Sequence, residues 1–393
     1  MNICFLSQEY PPETHVGGIG TYTYNMAGAL AGLGHTVHVI AATTGPKESY
    51  TDNGVVVHRV RFSKMKLKEL ALFHYSRAVA KKVAQINCRF DIVQSSEYGS
   101  EAFCLSFRKR YPLVTRLATP FFMIEEMNGK VFLGPRPLFN WMEKTQTLRS
   151  DSIFTSTRAM ANAVADKWGI DPSGVEIIPN SVDLSRVRKL GEGKPAPDSL
   201  ADEDYLLYFG RLEERKGVHV LAEALPLVFE EFPKLNAVLV GSDLGFRGTP
   251  MKDYMKGKLG SYMGRVKFYE NLPHEELFPI VNSARMVVLP SLWEAFGFVC
   301  VEAMALGRPV VASSGSGFAE IIEDGISGYL VEPGKSGLLA EKMINALKDE
   351  EGLRKISEGA RARSQDFEVS KVGLRLLSYY EKTKDEWLRK RKN

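Results

Sequence analysis

Two glutamates, Glu294 and Glu302, stand eight positions apart in "SLWEAFGFVCVEAMALG", among small and apolar residues. An ionised carboxylate only accepts hydrogen bonds, and its two oxygens suit the vicinal hydroxyls of a polyol. Earlier in the chain, "FGRLEERKG" places Arg211 and Lys216 just after an apolar run. A planar guanidinium fork and a compact ammonium together match the oxygens of a diphosphate. Near the amino terminus, "QEYPPETHVGGIGTYTYN" offers Gly17, Gly18 and Gly20 between an apolar run and a helical pattern. Bare backbone at a helix N-terminus can approach a phosphate. Hydroxyl acceptors beside phosphate donors are the needs of a sugar nucleotide. Each motif also has a plainer reading: an ordinary glycine turn, a solvated charged loop, and a Glu302 paired within the core beside a surface Glu294.

These residues need strands and helices to bring them together. "MVVLPS" reads as a strand, "LWEAFG" as the loop at its carboxyl end, and "FVCVEAMALG" as a helix closed by Gly307. Glu294 then lies in the loop and Glu302 just over a turn into the helix, whose first N–H groups around Phe298 and Val299 are free to face an anion. The first half of the chain alternates apolar runs ("NICFLS", "TVHVIAA", "GVVVHRV", "DIVQSS", "PLVTRLA", "SIFTST", "VEIIPN") with segments long enough for crossover helices. A second such series starts at "YLLYFG" and ends at "GYLVEP". The pattern is α/β, with two doubly wound parallel sheets. Open parallel sheets bind ligands beyond the carboxyl ends of their strands, so a cleft between two such domains is the expected site. The polar stretch Leu184 to Asp204 reads as the connection between them. The segment from Ser336 onward is helical in pattern, and Leu374, Leu377, Tyr380 and Trp387 mark an amphipathic helix at its end.

Composition narrows the classes. With 393 residues, 44% apolar and 25% charged, the chain is a soluble, two-domain globular protein. A net charge of +4 is too small for a dedicated nucleic-acid binder. Cys4, Cys88, Cys104 and Cys300 lie far apart without a Cys-x-x-Cys pair and read as reduced thiols, not a zinc site. No run approaches 18 apolar residues and no signal sequence opens the chain, so the expected place is the cytoplasm. Position 23 is Thr and no acidic residue ends the second strand, which disfavours NAD. No Asp-x-Asp element points to a bound divalent ion.

"GGIGTY", "FGRLEERKG", "PSLWEAFGFVCVEAMALGRPVVAS", "GFAEIIEDGISGYLVEP" and "IIPNSVD" together resemble the retaining family-4 glycosyltransferases (glycosyltransferase group 1) of GT-B fold. The likeness runs through nearly the whole chain in order. It implies two Rossmann-like domains facing across a cleft: residues 1–190 for the acceptor, residues 204–370 for the nucleotide-sugar donor, and residues 371–393 as a helix returning to the first domain. It implies a hexosyltransferase with no cofactor or metal, moving a hexose from a UDP- or GDP-linked donor to a saccharide, lipid-linked or small-molecule acceptor. By the same likeness Arg211 and Lys216 bind the diphosphate, Glu302 the ribose and Glu294 the transferred sugar. Backbone at Gly210, Phe296, Gly297, Phe298 and Val299 completes the site, Asn271 and Leu272 lie by the base, and Gly18 approaches the phosphate. Two departures stand out. Ala118 in "VTRLATP" occupies the place of a frequent histidine, leaving Arg116 or Thr119 as replacements, and Glu270 stands where glycine is frequent. A sugar-nucleotide epimerase or hydrolase, or a noncatalytic sugar-nucleotide binder, are the rival readings.

Two further stretches of the first half bear on partners. "HRVRFSKMKLKELALFHYSRAVAKK" holds eight Lys or Arg and one Glu, either a basic face for a peripheral contact with an anionic bilayer or a solvated surface. "TPFFMIEEMNGKVFLGPRPLFNWMEK" reads as an acceptor lip or as packing between domains.

Overall fold

A computed structural model describes residues 1–14, 17–62, 68–127, 137–201 and 203–392. Parts of the basic stretch (63–67) and of the aromatic stretch (128–136) therefore lie outside the described residues. The chain divides into two units, Met1–Ser181 with Val369–Asn393, and Val182–Glu368.

The apolar runs of the first unit become an eight-stranded sheet. Its strands are β1 (Asn2–Ser7), β2 (Thr36–Thr43), β3 (Ser49–Asp52), β4 (Val55–Arg61), β5 (Ile92–Ser96), β6 (Leu113–Leu117), β7 (Ser152–Thr155) and β8 (Val175–Ile177). They lie in the order β3-β4-β2-β1-β5-β6-β7-β8, all parallel except the β3–β4 hairpin. The order reverses at β1, which pairs with β2 on one side and β5 on the other, so the crevice rule places a ligand at the carboxyl ends of β1 and β5. Nearly every residue of β1, β2 and β5 is buried, as a sheet covered on both faces requires.

The second unit holds β9 (Tyr205–Phe209), β10 (Leu212–Glu213), β11 (Asn236–Val240), β12 (Asp243–Gly245), β13 (Val266–Tyr269), β14 (Met286–Leu289), β15 (Val310–Ser313) and β16 (Tyr329–Val331). Six of these form a parallel sheet in the order β13-β11-β9-β14-β15-β16, and β10 pairs with β12 apart from it. Here the order reverses at β9, between β11 and β14. Loops after β9 and β14 therefore flank the switch point, and these loops carry Arg211, Lys216 and Glu294.

Two features differ from the sequence reading. The division falls at Ser181/Val182 and Glu368/Val369, not at 190/204 and 370/371. The polar stretch expected to be a connection opens instead with a helix, Leu184–Glu192, capped by Asp183 and burying Leu184 and Val187 in the core of the second unit. Val182 N–H also bonds the Phe367 carbonyl at 2.8 Å, which ties the start of this unit to its end. In the last helix, Val369–Lys392, the buried stripe is Val372, Leu376, Tyr380 and Thr383, at spacings of four and three, while Leu374 stands 56% exposed. This helix packs on the helix Gly18–Gly32 within the first unit, where a Cβ at Gly373 would lie 3.4 Å from the Ala29 methyl. Tyr380 and Tyr22 both hydrogen-bond Gln94 on β5.

Candidate active site

The loop after β9 is set by backbone. Gly210 N–H bonds the Val240 carbonyl at 2.9 Å and Gly210 adopts φ +139°, open mainly to glycine. The buried Tyr208 hydroxyl donates to the Arg211 carbonyl at 2.6 Å and fixes where Arg211 departs. One turn on, Gly217 has φ +67°, and a Cβ there would collide with the Pro290 carbonyl at the end of β14. The approach is sealed when Leu292 N–H donates to the Arg215 carbonyl at 2.8 Å. Two loops 78 residues apart are thus pressed together, and the ammonium of Lys216 donates to the Glu294 carboxylate.

The charges around that pair form one network. Glu213 Oε1 accepts from Arg215 at 2.9 Å and lies 3.1 Å from the Arg211 guanidinium. Arg215 also donates to the Trp293 carbonyl at 3.4 Å. Glu213 and Arg215 read from sequence as solvated surface, but their side chains are only 12% and 13% exposed; they brace the loop from within. Glu214, paired with Arg247 at 3.5 Å, does lie nearer the surface. Arg211, Arg215 and Lys216 against Glu213 and Glu294 leave one positive charge in excess, which favours an anion there. Burial pushes the Glu294 carboxyl up, yet Lys216, Arg215 and Arg211 outweigh it and hold the group below its ordinary range. Burial lowers the Lys216 ammonium from its usual value, with Glu294 opposing.

Glu302 is treated differently. It sits on the helix Phe298–Ala305, partly buried, with no ion pair or hydrogen bond to its carboxylate among the described residues. Burial alone raises its pKa to about 7. Gly297, at φ +100°, turns the chain into this helix, and a Cβ there would strike the Phe318 ring. Gly317 N–H bonds the Glu294 carbonyl at 2.9 Å, so the segment after β15 holds the loop from the other side. Phe296 is buried in the core, and Phe298 and Val299 pack partly against it, which leaves backbone as what this stretch offers a ligand. Asn271 and Leu272 follow β13: Asn271 Oδ1 accepts from Ser242 N–H at 3.1 Å, and Leu272 is partly buried on the core. Glu270 is exposed and paired with Lys252 at 3.1 Å.

Gly18 lies in the first unit, as the first residue of the helix Gly18–Gly32. The anion-holding capacity expected of the glycine loop is engaged by the chain itself: the Glu9 carboxylate accepts from Gly17 N–H at 3.1 Å and Gly20 N–H at 3.2 Å. Neither Glu9 nor the buried carboxyls of Glu97, Glu101 and Glu143 figured among the sequence-derived residues; the visible signal for Glu9, Glu97 and Glu101 was their place after the carboxyl ends of β1 and β5, while Glu143 lies within the helix Pro137–Leu148 and gave none. Among the described residues no group of three or more His, Cys, Asp or Glu is placed to hold a metal. The one acidic triplet of Asp-x-Asp form, residues 202–204, precedes β9 at its amino end, where Glu203 pairs with Lys267 and Asp204 with Arg285 at 2.6 Å.

A test follows from the unpaired Glu302. Its folded pKa of about 7 lies above the ordinary 4.5, so in ligand-free protein it stabilises below pH 4.5 and that contribution is lost as pH rises through 7. A ligand whose hydroxyls donate to the carboxylate favours the ionised form, and a diphosphate diester does not titrate in this range. If Glu302 holds the hydroxyls of a nucleoside diphosphate sugar, the melting-temperature rise that ligand gives is larger at pH 8 than at pH 6, and Glu302→Gln removes that difference.

Comparisons with known proteins show the family and the fold. Residues 16–186 match the model of glycosyltransferase family 4, and residues 194–363 match that of glycosyl transferases group 1, so the two together span most of the chain. Glycogen synthase of Mycobacterium tuberculosis is 27% identical across 97% of this chain and 94% of its own length. Among solved structures, sucrose-phosphate synthase from Thermosynechococcus elongatus superposes with a TM-score of 0.78 at 22% identity, over 97% of this chain and 99% of that one. Anabaena HepE in complex with UDP-glucose superposes at 0.71 and 23% identity, over 97% and 100%. The chain belongs to the group 1, family 4 glycosyltransferases, with the GT-B fold.

Proposed function

We propose that the enzyme is a retaining hexosyltransferase that takes a hexose from a nucleoside diphosphate sugar, UDP- or GDP-linked, and passes it to a hydroxyl of a saccharide, lipid-linked or small-molecule acceptor. The observation that carries this is the Lys216–Glu294 pair at the switch point of the second sheet, with Glu302 unpartnered on the helix that follows the Glu294 loop. In this reading Arg211, Lys216 and the first N–H groups of the helix Phe298–Ala305 hold the diphosphate. Glu302 accepts from the ribose, Glu294 from the hexose, and Asn271 and Leu272 border the base. Gly210, Phe296, Gly297, Phe298 and Val299 supply backbone.

Chemistry follows from those roles. The acceptor oxygen bonds to the anomeric carbon on the face the diphosphate leaves, the carbon–oxygen bond to phosphate breaks, and the acceptor's proton passes to the departing phosphate oxygen. Charge grows on that phosphate, and preorganised donors aimed at it are worth about 3 kcal/mol each. Glu294, held ionised by three cations, is a hydroxyl acceptor and not a nucleophile in this scheme. In this reading no metal or other cofactor is required: the cations of the loop provide the positive charge, and Glu203 and Asp204 are engaged in ion pairs with Lys267 and Arg285. The UDP-glucose held by HepE supports a uridine donor, while glycogen synthase and sucrose-phosphate synthase, by their names, differ in what they build.

The experiment is a melting-temperature panel of nucleoside diphosphate sugars, followed by nucleotide release from the best stabiliser with and without a mixture of saccharide acceptors. A ligand that binds only the folded protein raises its stability by mass action. Release that depends on acceptor supports transfer. Turnover of donor alone favours the epimerase or hydrolase, and binding without turnover favours the sensor.

We further propose a peripheral contact with an anionic membrane. No described helix is long and apolar enough to cross a bilayer. Of the basic stretch, Arg59 is fully buried and bonds the Tyr10 and Pro11 carbonyls, but Arg61, Arg77 and Lys81 are exposed. Leu70 and Phe73 are exposed on the helix Lys68–Gln85 that also bears Arg77 and Lys81. Sedimentation with vesicles containing phosphatidylserine should capture the protein at low salt, and Arg77→Glu with Lys81→Glu should abolish capture; equal binding to neutral vesicles would refute the contact.

A further inference from the structure

Inside the loop that carries Arg211 and Lys216 lies an ion pair turned away from solvent. The side chains of Glu213 and Arg215 are 12% and 13% exposed, whereas that of Arg211 is 55% exposed. Glu214, between them, is paired instead with the exposed Arg247. Glu213 sits on the short strand β10, beside Gly245 of β12. Its Oε1 accepts from Arg215 at 2.9 Å and lies 3.1 Å from the Arg211 guanidinium, so one carboxylate sets the direction of both arginines. Arg215 bridges two loops: Nη2 donates to Glu213 and Nη1 to the Trp293 carbonyl at 3.4 Å. Trp293 immediately precedes Glu294, and the Arg215 carbonyl accepts from Leu292 N–H at 2.8 Å. Residue 215 thus holds the loop after β14 by main chain and side chain together.

An ion pair taken out of water contributes little to folding, because the desolvation of two charges offsets their attraction, and apolar replacements of similar size are often as stable. What a planar guanidinium fork offers here is direction: it spans two acceptors on two loops, which a compact ammonium on a flexible stem does not. That direction is felt one residue further on. The Glu294 carboxylate accepts from Lys216, and its ionisation is set by this loop: burial raises the group, while Lys216, Arg215 and Arg211 together bring it below its ordinary range. Tyr208 on β9 and Cys300 on the helix Phe298–Ala305 also lie within reach of its charge, and burial raises both, so they stay neutral around neutral pH. Arg215 therefore acts on Glu294 twice, through the Trp293 carbonyl and through its charge.

We propose that Glu213 and Arg215 are positioning residues for transfer: Arg215 places the Glu294 carboxylate by gripping the carbonyl before it, and Glu213 aims the Arg211 guanidinium, with neither residue touching the donor. The proposal rests on the transferase reading above, in which Glu294 meets the hexose and Arg211 the diphosphate.

Steady-state kinetics and pH profiles of Arg215→Met, Arg215→Lys and Glu213→Gln test it. Arg215→Met removes both fork and charge, while Glu213 keeps Arg211 as its partner and is not left a lone buried charge. Expected is a melting temperature near that of wild type with a loss of about tenfold or more in kcat/KM for the donor, since a misplacement of about 1 Å is enough for such a loss. The acid limb of the profile moves to higher pH, because a cation that held the Glu294 carboxyl down is gone. Arg215→Lys keeps the cation without the fork, so its rate falls while its acid limb stays with wild type. Glu213→Gln also loses rate, and combined with Arg215→Met it loses less than the product of the two single losses, because the residues act as one unit. An Arg215→Met protein that melts like wild type and keeps its kcat/KM and acid limb overturns the proposal. So does a lowered melting temperature with unchanged kinetics, which marks a residue that only holds the fold. If Arg215→Met melts too early to assay, Arg215→Lys decides, and wild-type kinetics there overturn the proposal. Wild-type protein that releases no nucleotide in response to any acceptor refutes the transferase reading and the positioning role with it, a result distinct from a wild type that transfers and a variant that transfers equally well.

Discussion

Lys216→Ala lowers turnover at least about a hundredfold. The ammonium is aimed by structure on both sides: Gly217 turns the chain beneath it, and the Glu294 carboxylate accepts from it. In the proposed mechanism Lys216 acts on the leaving diphosphate, where negative charge increases toward the transition state, so its loss appears in kcat and not only in the KM for donor. Folding survives, because Arg215, with its side chain 13% exposed, remains beside the Glu294 carboxylate. Single-turnover rates on a variant whose circular dichroism matches wild type check this. Near-normal transfer would remove Lys216 from the mechanism. Glu294→Gln makes a useful companion, since it frees Lys216 while deleting the carboxylate offered to the hexose.

Gly217→Ala should destabilise the second unit by about 2–5 kcal/mol. A left-handed backbone costs an alanine roughly 1–2 kcal/mol, and forcing a methyl into packed surroundings adds about 1–3 kcal/mol. The obstacle is the Pro290 carbonyl, which is backbone at the end of a central strand and cannot swing aside like a side chain tip. Relief requires the turn bearing Lys216 to move away from the loop bearing Glu294, so activity falls along with stability. The contrast with Lys216→Ala is diagnostic: one loses rate with its fold intact, the other loses both. Urea unfolding checks the first quantity, and a wild-type midpoint for Gly217→Ala would show that the turn is not pinned as described.

Much of this was legible in the residues because strands of buried parallel sheets announce themselves as apolar runs, and the loops that follow them are where ligands bind. "YLLYFG" and "MVVLPS" fell on β9 and β14, so Arg211, Lys216 and Glu294 were placed at the edge where the structure has them. What pairs with what was not legible. A run such as "RLEERKG" looks solvated throughout, and only the fold shows Glu213 and Arg215 turned inward, because the Trp293 carbonyl that receives Arg215 is 78 positions away. The helix Leu184–Glu192 was hidden for a related reason: Arg186, Arg188 and Lys189 surround its two core residues and blur the periodicity. In the last helix, Leu374 looked like a core position by residue type, but the buried stripe is set by Gly373 meeting Ala29, which rotates Val372 and Leu376 inward. Glu97 escaped notice because a lone glutamate after "DIVQSS" carries no spacing signal; its backbone partner at Ala118 comes from the neighbouring strand's loop.

The central claim is that this site transfers a hexose and keeps its anomeric configuration. Proton nuclear magnetic resonance of the reaction, following the anomeric signals of donor and product in the first minutes, tests it in one measurement. The account predicts a new glycosidic proton whose coupling matches the donor's configuration, growing only when acceptor is present. A product of inverted coupling would contradict the same-face mechanism, and free hexose or an epimerised donor formed without acceptor would contradict transfer itself.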